Sequence, residues 1–309
     1  MSTSDTDLGS PRRVHVVGAG GAGMAAIASV LRSMGHGVTG SDLRDSAVTE
    51  RLRAEGVPVT IGHDAANIGA AELLAVSTAI PERNPEVRAA RDAGVPVLRR
   101  GDILPAISAE RRTIVVAGTH GKTTTSSMLA LVLVEANLHP SFIIGGDVNE
   151  IGSGAVWDDG EWFVIEGDES DRTFLTLGAE IALVTNVEPD HLETYDNDPD
   201  QLRAAFATFL RGARVRIVCA DDAGSAELGA EVDAVSYGTA AAADYRMVDV
   251  VRGRSSTGFT IERHGEELVR IQLPTPGLHN ASNAAGAVVA GIEAGAPVDA
   301  AARALARFG

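Results

Sequence analysis

Cysteine and basic residues are both scarce in this chain of 309 residues. The single cysteine, Cys219, cannot form an internal disulfide, which is typical of a reducing compartment. Asp and Glu number 42 against 26 Lys and Arg, and the formal charge of −16 would repel a nucleic-acid backbone or an anionic membrane. The sequence also lacks an apolar run of about 18 residues and a signal segment. We therefore expect a cytoplasmic protein that binds small molecules, with no nucleic-acid partner and no membrane insertion.

Length and composition indicate a globular protein with more than one domain. A hydrophobic fraction of 45% is ordinary for a folded chain. The length suggests about two domains, at ~100–200 residues each. We expect a disordered Ser/Asp/Gly-rich tail over residues 1–11, a first domain over 12–107 and a central domain over 108–309, with a linker at Pro105 to Arg112.

The first domain opens with a glycine-rich turn between a strand and a helix. A β-branched strand, Arg13 to Val17, precedes Gly18-Ala-Gly-Gly-Ala-Gly-Met24, and a second strand ends at Ser41-Asp42. Taken alone, this spacing predicts a dinucleotide site with the acidic side chain on a ribose hydroxyl. Later apolar runs alternate with helical stretches, which predicts a Rossmann-like parallel sheet. The segment Ser77-Thr78-Ala79-Ile80 would lie at its carboxyl edge, where such sheets bind ligands.

The central domain carries a phosphate loop. Thr113 to Ala117 predicts a strand, Gly118 to Gly121 a small-residue loop, and Lys122-Thr123 the start of a helix. Glycines let backbone N–H groups approach a polyphosphate, Lys122 can reach the β- and γ-phosphates, and a Thr hydroxyl can bind Mg²⁺. Val116 stands where the strict P-loop pattern requires glycine. The strand, loop and helix context still predicts an ATP or GTP site.

Three further segments supply candidate ligands. Glu166 ends a predicted strand and opens Glu-Gly-Asp-Glu-Ser-Asp, where a carboxylate could share Mg²⁺ with the nucleotide; the alternative for Asp168, Glu169 and Asp171 is a solvated acidic turn. His191 could bind a second metal ion or act as a base, and the alternative is a surface histidine. His279, Asn280 and Asn283 could bind a purine edge, or Asn280 could simply cap a helix.

Alternating strands at Thr257 to Glu262 and Glu267 to Leu273 predict a small antiparallel sheet after this P-loop-type α/β region. The fold class expected for the whole chain is therefore α/β, with a Rossmann-like domain followed by a P-loop-type ATPase domain.

Four segments together resemble the Mur ligases. They are Gly-Thr-His-Gly-Lys-Thr-Thr-Thr at 118–125, Glu-Gly-Asp-Glu-Ser-Asp at 166–171, Thr-Asn-Val-Glu-Pro-Asp-His at 185–191 and Pro-Gly-Leu-His-Asn at 276–280. The N-terminal Gly-Ala-Gly-Gly-Ala-Gly-Met resembles the branch that joins L-alanine to UDP-N-acetylmuramate. The resemblance implies that the first domain binds the UDP-sugar and not a nicotinamide.

The resemblance also implies a reaction and a set of site residues. ATP with Mg²⁺ would phosphorylate the lactyl carboxylate of UDP-N-acetylmuramate, and the amine of L-alanine would displace phosphate from the acyl phosphate. Lys122, Glu166 and His191 would be catalytic, and Thr123, Glu166 and His191 would hold metal. The residues implied to bind ATP are Gly118, Thr119, His120, Gly121, Lys122, Thr123, Thr124, His279, Asn280 and Asn283. Those implied to bind the UDP-sugar are Gly18, Ala19, Gly20, Gly21, Ala22, Gly23, Met24, Asp42, Ser77, Thr78, Ala79, Ile80, Asp168, Glu169 and Ser170.

Members of this family have a third, amino-acid-binding domain, and Gly309 lies about where the linker to that domain would begin. The resemblance therefore implies that the 309 residues are inactive alone. Two other functions stay open: the related ligase that attaches a recycled tripeptide to the same UDP-sugar, and a non-catalytic nucleotide-binding module.

Overall fold

The structure, a computed structural model, describes residues 7–190 and 192–309. The chain divides into two compact units. The first comprises the described residues up to Glu110 together with Ala155–Asp158, and the second comprises Arg111–Gly154 and Asp159–Gly309.

The first unit is built on a parallel five-stranded sheet with the order β3-β2-β1-β4-β5. Its strands are β1 (Arg13–Val17), β2 (Gly37–Asp42), β3 (Val59–Ile61), β4 (Leu73–Val76) and β5 (Val97–Arg99). Its helices are α1 (Ala22–Ser33), α2 (Ala47–Ala54), α3 (Pro85–Asp92) and α4 (Arg100–Ser108), with a 3₁₀ helix at Ala65–Ile68. The central strands β1 and β4 are almost wholly buried, as expected for a parallel sheet covered on both faces.

Strand order reverses between β1 and β4, because the chain runs outward from β1 to β3 and then returns to the other side of β1. The turns after β1 and β4 therefore lie side by side at the carboxyl edge of the sheet, the usual ligand crevice of such folds. The Ser77 amide, for example, donates to the Val17 carbonyl.

The structure corrects two details of the sequence predictions for this unit. The division between the two units after Glu110 falls within the linker expected from Pro105 to Arg112, but residues 105–108 of that segment belong to α4. Burial of Ile103, Leu104 and Ile107 outweighs the helix-breaking tendency of the proline. The expected disordered tail includes Leu8, which is only 3% exposed and therefore packed. Residues 1–6 of that tail lie outside the described residues.

The second unit is built on a ten-stranded mixed sheet with the order β15-β14-β13-β12-β11-β10-β6-β9-β7-β8. Its strands are β6 (Arg112–Ala117), β7 (Ser141–Val148), β8 (Ser153–Val156), β9 (Trp162–Glu166), β10 (Ile181–Val184), β11 (Val215–Cys219), β12 (Val235–Gly238), β13 (Tyr245–Arg252), β14 (Thr257–Arg263) and β15 (Glu266–Leu273). Its helices are α5 (Lys122–Glu135), α6 (Pro199–Gly212), α7 (Ala223–Val232), α8 (Leu278–Glu293) and α9 (Val298–Leu305). Shorter 3₁₀ helices lie at Thr173–Thr176 and Leu192–Tyr195.

The α/β fold class is confirmed in both units, with one refinement. The antiparallel strands β13, β14 and β15 do not form a sheet of their own, because β13 pairs with β12 and extends the large sheet. Strand β6 lies between β9 and β10 and is parallel to both. The turns that follow these three strands consequently emerge at one edge, and these are the turns that carry the predicted chemistry.

Candidate nucleotide sites

The predicted phosphate loop connects β6 to the N-terminus of α5. Gly121 caps the helix in the left-handed region, at φ 83°, where a side chain would be strained. A Cβ at this position would lie 2.6 Å from Oδ1 of Asn283. Glycine is thus required both by the backbone and by the close approach of α8. The helix begins at Lys122, so its first amides and its positive dipole end face the loop.

Thr185 and Asn186, which follow β10, hold this loop in place. The His120 amide donates to Oδ1 of Asn186 at 2.8 Å, and the His120 carbonyl accepts from Oγ1 of Thr185 at 2.6 Å and Nδ2 of Asn186 at 2.9 Å. Both residues belong to the segment Thr-Asn-Val-Glu-Pro-Asp-His at 185–191, but that segment alone does not predict their contact with the loop. Only the parallel pairing of β6 with β10 brings them to the loop.

Lys122 is the only lysine of the chain. Its ammonium donates to the carbonyls of Gly118 at 2.5 Å and Thr119 at 3.2 Å, and to Oε2 of Glu169 at 2.8 Å. An ammonium has three hydrogens, so this arrangement uses all of them. A phosphate that binds Lys122 must therefore replace at least one of these partners.

Glu169, which the resemblance implies to be a UDP-sugar residue, has a nearly buried carboxylate that pairs with Lys122, and a contact of Glu169 with the sugar stays a prediction. The reason is again strand order: β9 neighbours β6, so the turn that follows β9 meets the phosphate loop. In the same turn, Asp168 accepts from both the amide and the hydroxyl of Ser170. These bonds make a local turn, and a contact of Asp168 or Ser170 with the sugar stays a prediction.

Thr123 and Glu166 come together as the sequence predicted. Oγ1 of Thr123 lies 3.1 Å from Oε2 of Glu166, whose Oε1 accepts from the Gly145 amide at 2.7 Å. A hydroxyl and a carboxylate beside a phosphate loop are the oxygen ligands that Mg²⁺ takes together with nucleotide phosphates, so these residues fit the ion. His191, the predicted second metal ligand and base, lies outside the described residues.

The N-terminal part of α8 also reaches the phosphate loop, through the close approach of Asn283 to Gly121 described above. Asn280 is not the helix cap, because the N-cap is Gly277 and the side-chain Nδ2 of Asn280 donates to the Pro276 carbonyl instead. The capping alternative for Asn280 is therefore wrong. His279 is exposed on the same turn. Binding of adenine by these side chains stays a prediction.

The glycine turn of the first unit is hydrogen-bonded into its own sheet. The amides of Gly18 and Ala19 both donate to the Ser41 carbonyl, and the Gly20 amide donates to Oδ2 of Asp42 at 2.8 Å. These three amides are therefore already paired within the protein. The amides of residues 22–24 precede the first bond of α1, in which Ala25 donates to the Gly21 carbonyl, and are the ones oriented to bind an anion.

Other predicted UDP-sugar residues border this turn. A Cβ on Gly18 would lie 3.0 Å from the Cβ of Ser77, so the turns after β1 and β4 touch. Thr78 and Ala79 are exposed at the same edge. Arg100, which sequence reasoning missed, brings its guanidinium close to Gly23, where a Cβ would lie 3.4 Å from Nε. The sequence signal that could have identified Arg100 is the pair Arg99-Arg100, which follows a predicted strand.

Comparison with known proteins identifies the family. The chain matches the Mur ligase family catalytic domain over residues 13–112 and the Mur ligase middle domain over residues 116–291, and it therefore belongs to the Mur ligase family. It is 45% identical over 310 residues to UDP-N-acetylmuramate–L-alanine ligase from Saccharopolyspora erythraea, and 40% identical over 305 residues to that from Psychrobacter arcticus. Both alignments cover 96% of this chain and 63% of the relative, so the chain spans less than two thirds of the length of these two relatives.

Solved structures agree with this assignment. The UDP-N-acetylmuramate-alanine ligase MurC of Thermotoga maritima superposes with a TM-score of 0.85 at 29% identity, covering 96% of this chain and 68% of that one. A UDP-N-acetylmuramate:L-alanyl-γ-D-glutamyl-meso-diaminopimelate ligase from Neisseria meningitides gives a TM-score of 0.84 at 24% identity, which shows the shared fold alone; the match covers 97% of this chain and 99% of that one. Among the described helices, none combines the length and apolar character needed to cross a membrane.

Proposed function

We propose that this chain carries the UDP-sugar and ATP half-sites of an ATP-dependent, ADP-forming ligase that joins L-alanine to UDP-N-acetylmuramate in peptidoglycan precursor synthesis. The observation that carries the proposal is the convergence of Lys122, Thr123 and Glu166 at one sheet edge of a Mur ligase middle domain. The names of relatives at 40–45% identity supply the substrates.

The chemistry explains why such a site is needed. A carboxylate and an ammonium do not condense near neutral pH, because each must first leave its stable ionic form. In the proposed reaction the lactyl carboxylate attacks the γ-phosphorus of ATP, ADP leaves, and the amine of L-alanine then displaces phosphate from the acyl phosphate. Phosphoryl transfer depends on positioning and on charge stabilisation more than on covalent help from the protein.

In this reaction Lys122 would exchange a loop carbonyl or Glu169 for a phosphate oxygen and stabilise the transferring charge. Thr123 and Glu166 would hold one Mg²⁺, which supplies a positive charge shared by the protein and the phosphates. His191 remains the proposed ligand of a second ion. The amides of residues 22–24 and Arg100 would bind the pyrophosphate of the UDP-sugar.

Calorimetry with the 309-residue chain tests the binding half of this proposal. We expect saturable binding of UDP-N-acetylmuramate and weaker binding of Mg-ATP, each at its own site, and no binding of NAD. A ligand present at 100 times its dissociation constant should also raise the free energy of unfolding by about 2.7 kcal/mol. Binding of NAD in place of the UDP-sugar would reject the proposal and favour a dinucleotide-responsive module.

A test of the proposed catalytic activity needs the chain extended to the length of its relatives. Incubation with UDP-N-acetylmuramate, Mg-ATP and either L-alanine or the recycled tripeptide separates the two ligase reactions by the product that chromatography detects. We expect product with L-alanine and release of ADP. Product with the tripeptide alone would assign the chain to the recycling enzyme.

A further inference from the structure

A buried polar cluster lies under the carboxyl edge of the sheet in the first unit. Its centre is Glu86, the second residue of α3, whose side chain is fully buried. Ser41 and Asn67 donate hydrogen bonds to this carboxylate, at 2.7 and 2.5 Å, and Nδ1 of His63 lies 3.0 Å away. Nε2 of His15 approaches to 3.9 Å. Sequence reasoning assigned none of these five residues to a site.

The carboxylate of Glu86 is ionised at neutral pH. Burial acts to raise its pKa, but the side chains of His15, Ser41 and Asn67 more than compensate and lower the pKa to about 2. An ionised carboxylate can only accept hydrogen bonds. Each neighbour within hydrogen-bonding distance must therefore present a hydrogen toward Glu86.

This requirement determines how His63 is held. With the carboxylate at 3.0 Å, Nδ1 must carry the proton, because the other neutral tautomer would place a lone pair against a negative charge. Nε2 is buried and has no hydrogen-bond partner in the described part of the chain. The orientation of the ring in this structure thus depends on the contacts of Nδ1 with Glu86 and, at 3.2 Å, with Oγ of Ser41.

Ser41 connects the cluster to the glycine turn. Its hydroxyl donates to Glu86, while its carbonyl accepts from the amides of Gly18 at 2.9 Å and Ala19 at 3.0 Å. The next residue, Asp42, accepts from the Gly20 amide. The start of the glycine turn is therefore held by hydrogen bonds to Ser41 and Asp42, and Ser41 is itself hydrogen-bonded to the buried carboxylate of Glu86.

We propose that Glu86 is a positioning residue for UDP-sugar binding, which holds Ser41, and through Ser41 the glycine turn and the N-terminus of α1, in the ligand-binding conformation. The inference rests on the proposed function of the first unit as the UDP-sugar domain. Glu86 itself does not contact the ligand in this proposal. Glu86 acts on the glycine turn through Ser41, whose hydroxyl binds Glu86 and whose carbonyl binds the turn.

The first test is Glu86→Gln, measured by calorimetry with UDP-N-acetylmuramate. A carboxamide has nearly the same shape but places an NH₂ where the carboxylate had an acceptor, so the donors around it can no longer all be satisfied. We expect affinity to fall by about tenfold or more, the scale of one charge-assisted hydrogen bond. Affinity for Mg-ATP, which binds to the second unit, should not change.

Glu72→Gln is the matched control. Glu72 belongs to the same unit, but its carboxylate is half exposed and accepts from the Arg13 amide at the start of β1, away from the glycine turn. We expect this variant to bind the UDP-sugar as the wild type does. Equal losses in the two variants would mean that Glu86 has no specific role and would overturn the inference.

A second measurement separates positioning from general stabilisation. Nitrogen-15 NMR of the histidines should show His63 protonated on Nδ1 in the wild type and changed in Glu86→Gln, with shifted amide signals for Gly18 and Ala19. A purely structural role would lower the unfolding temperature and leave the ring and the turn of the folded protein unchanged. Unchanged His63, Gly18 and Ala19 signals would overturn the inference even if affinity fell.

Ser41→Ala tests whether Glu86 acts on the glycine turn through Ser41, and it replaces Glu86→Gln as the test if that variant does not fold. This variant removes the hydroxyl but keeps the carbonyl that holds the turn. We expect weaker UDP-sugar binding, and no further loss when it is combined with Glu86→Gln, because coupled residues are not additive. Wild-type affinity in Ser41→Ala would overturn the inference and leave the proposed function intact. If the wild type itself bound no UDP-sugar, the proposed function of this unit would fail and the inference with it.

Discussion

The single lysine of the chain is paired with other groups of the second unit. Lys122 shares its ammonium between two loop carbonyls and the nearly buried carboxylate of Glu169. Removing one partner of a buried ion pair leaves the other charge unpaired and lowers the free energy of unfolding. Variants of one or both residues can therefore separate an effect on ATP affinity from an effect on stability.

We predict that Lys122→Ala weakens Mg-ATP binding by about tenfold or more and lowers the free energy of unfolding by about 1–3 kcal/mol, the scale of leaving a buried polar group unpaired. The double variant Lys122→Ala/Glu169→Gln removes the stranded charge. It should regain most of the lost stability and none of the ATP affinity. Calorimetry and urea unfolding measure the two quantities, and normal ATP binding by Lys122→Ala would contradict the phosphate-loop assignment.

Gly20 illustrates how closely the first glycine turn packs. A Cβ at Gly20 would lie 2.8 Å from the carboxylate of Asp42, which accepts a hydrogen bond from the Gly20 amide. Gly21 differs, because its Cβ would meet only the Gly18 carbonyl at 3.6 Å, an ordinary contact, and its φ of −75° suits any residue. The two neighbouring positions therefore form a natural comparison.

We predict that Gly20→Val abolishes UDP-N-acetylmuramate binding and leaves Mg-ATP binding unchanged, since the valine side chain must displace Asp42 and open the turn. Gly21→Ala should bind both ligands nearly as the wild type does. Calorimetry on both variants with both ligands is the measurement. If Gly20→Val bound the UDP-sugar normally, the glycine turn would not be part of that site.

At the scale of elements, an ion cluster joins the starts of β6, β10 and β11. Glu180, just before β10, accepts from Arg112 at 2.7 and 2.8 Å and from Arg214 at 3.0 Å. Hydrogen bonds from Arg112 lower the pKa of Glu180, and with Arg214 they outweigh burial and bring it to about 2. Arg112 also lies over the ring of Trp162, 4.1 Å from its centroid.

The lowered pKa predicts how this cluster responds to acid. The folded-state pKa of Glu180 lies below the ordinary value of 4.5, so its stabilisation is complete above about pH 4.5 and is lost as pH falls toward about 2. Glu180→Gln should therefore be less stable than the wild type near pH 7, and the difference should shrink as the pH approaches 2. Urea unfolding across this range measures it. A difference that is constant with pH would show that the charge of Glu180 contributes nothing.

At the scale of the whole molecule, the two units carry different ligands in the proposed reaction. The two relatives extend well beyond the part that this chain matches, because the chain covers only 63% of their length. We propose that the L-alanine pocket belongs to the part of the relatives that the chain does not cover. Positioning of the amine against the acyl phosphate, and exclusion of water, would then need that part.

We predict that the 309-residue chain binds UDP-N-acetylmuramate and makes no alanine-dependent product. The measurement is chromatography after incubation with Mg-ATP and L-alanine, beside a full-length relative as the positive control. Product from the 309 residues alone would place the amino-acid pocket within them.

Much of the architecture followed from local sequence. Strand β1 has the predicted limits and β9 ends at Glu166 as predicted, because runs of β-branched and apolar residues specify buried parallel strands locally. The glycine turn and the phosphate loop were equally visible, since their backbone requirements lie within a few consecutive residues. The joining of β13 to the large sheet and the continuation of α4 through Pro105 were not visible, because both depend on burial against distant elements.

The sequence by itself therefore determined the family, the class of fold and the segments that we propose to bind phosphate and metal, because each of these is encoded in short segments with their own chemistry. Only the tertiary structure decided which side chains meet across strands. It paired Glu169 with Lys122, set Thr185 and Asn186 around the phosphate loop, and buried Glu86 beneath Ser41. These partners are separated by 45 to 66 positions in the chain, and no local pattern predicts the strand order that brings them within hydrogen-bonding distance.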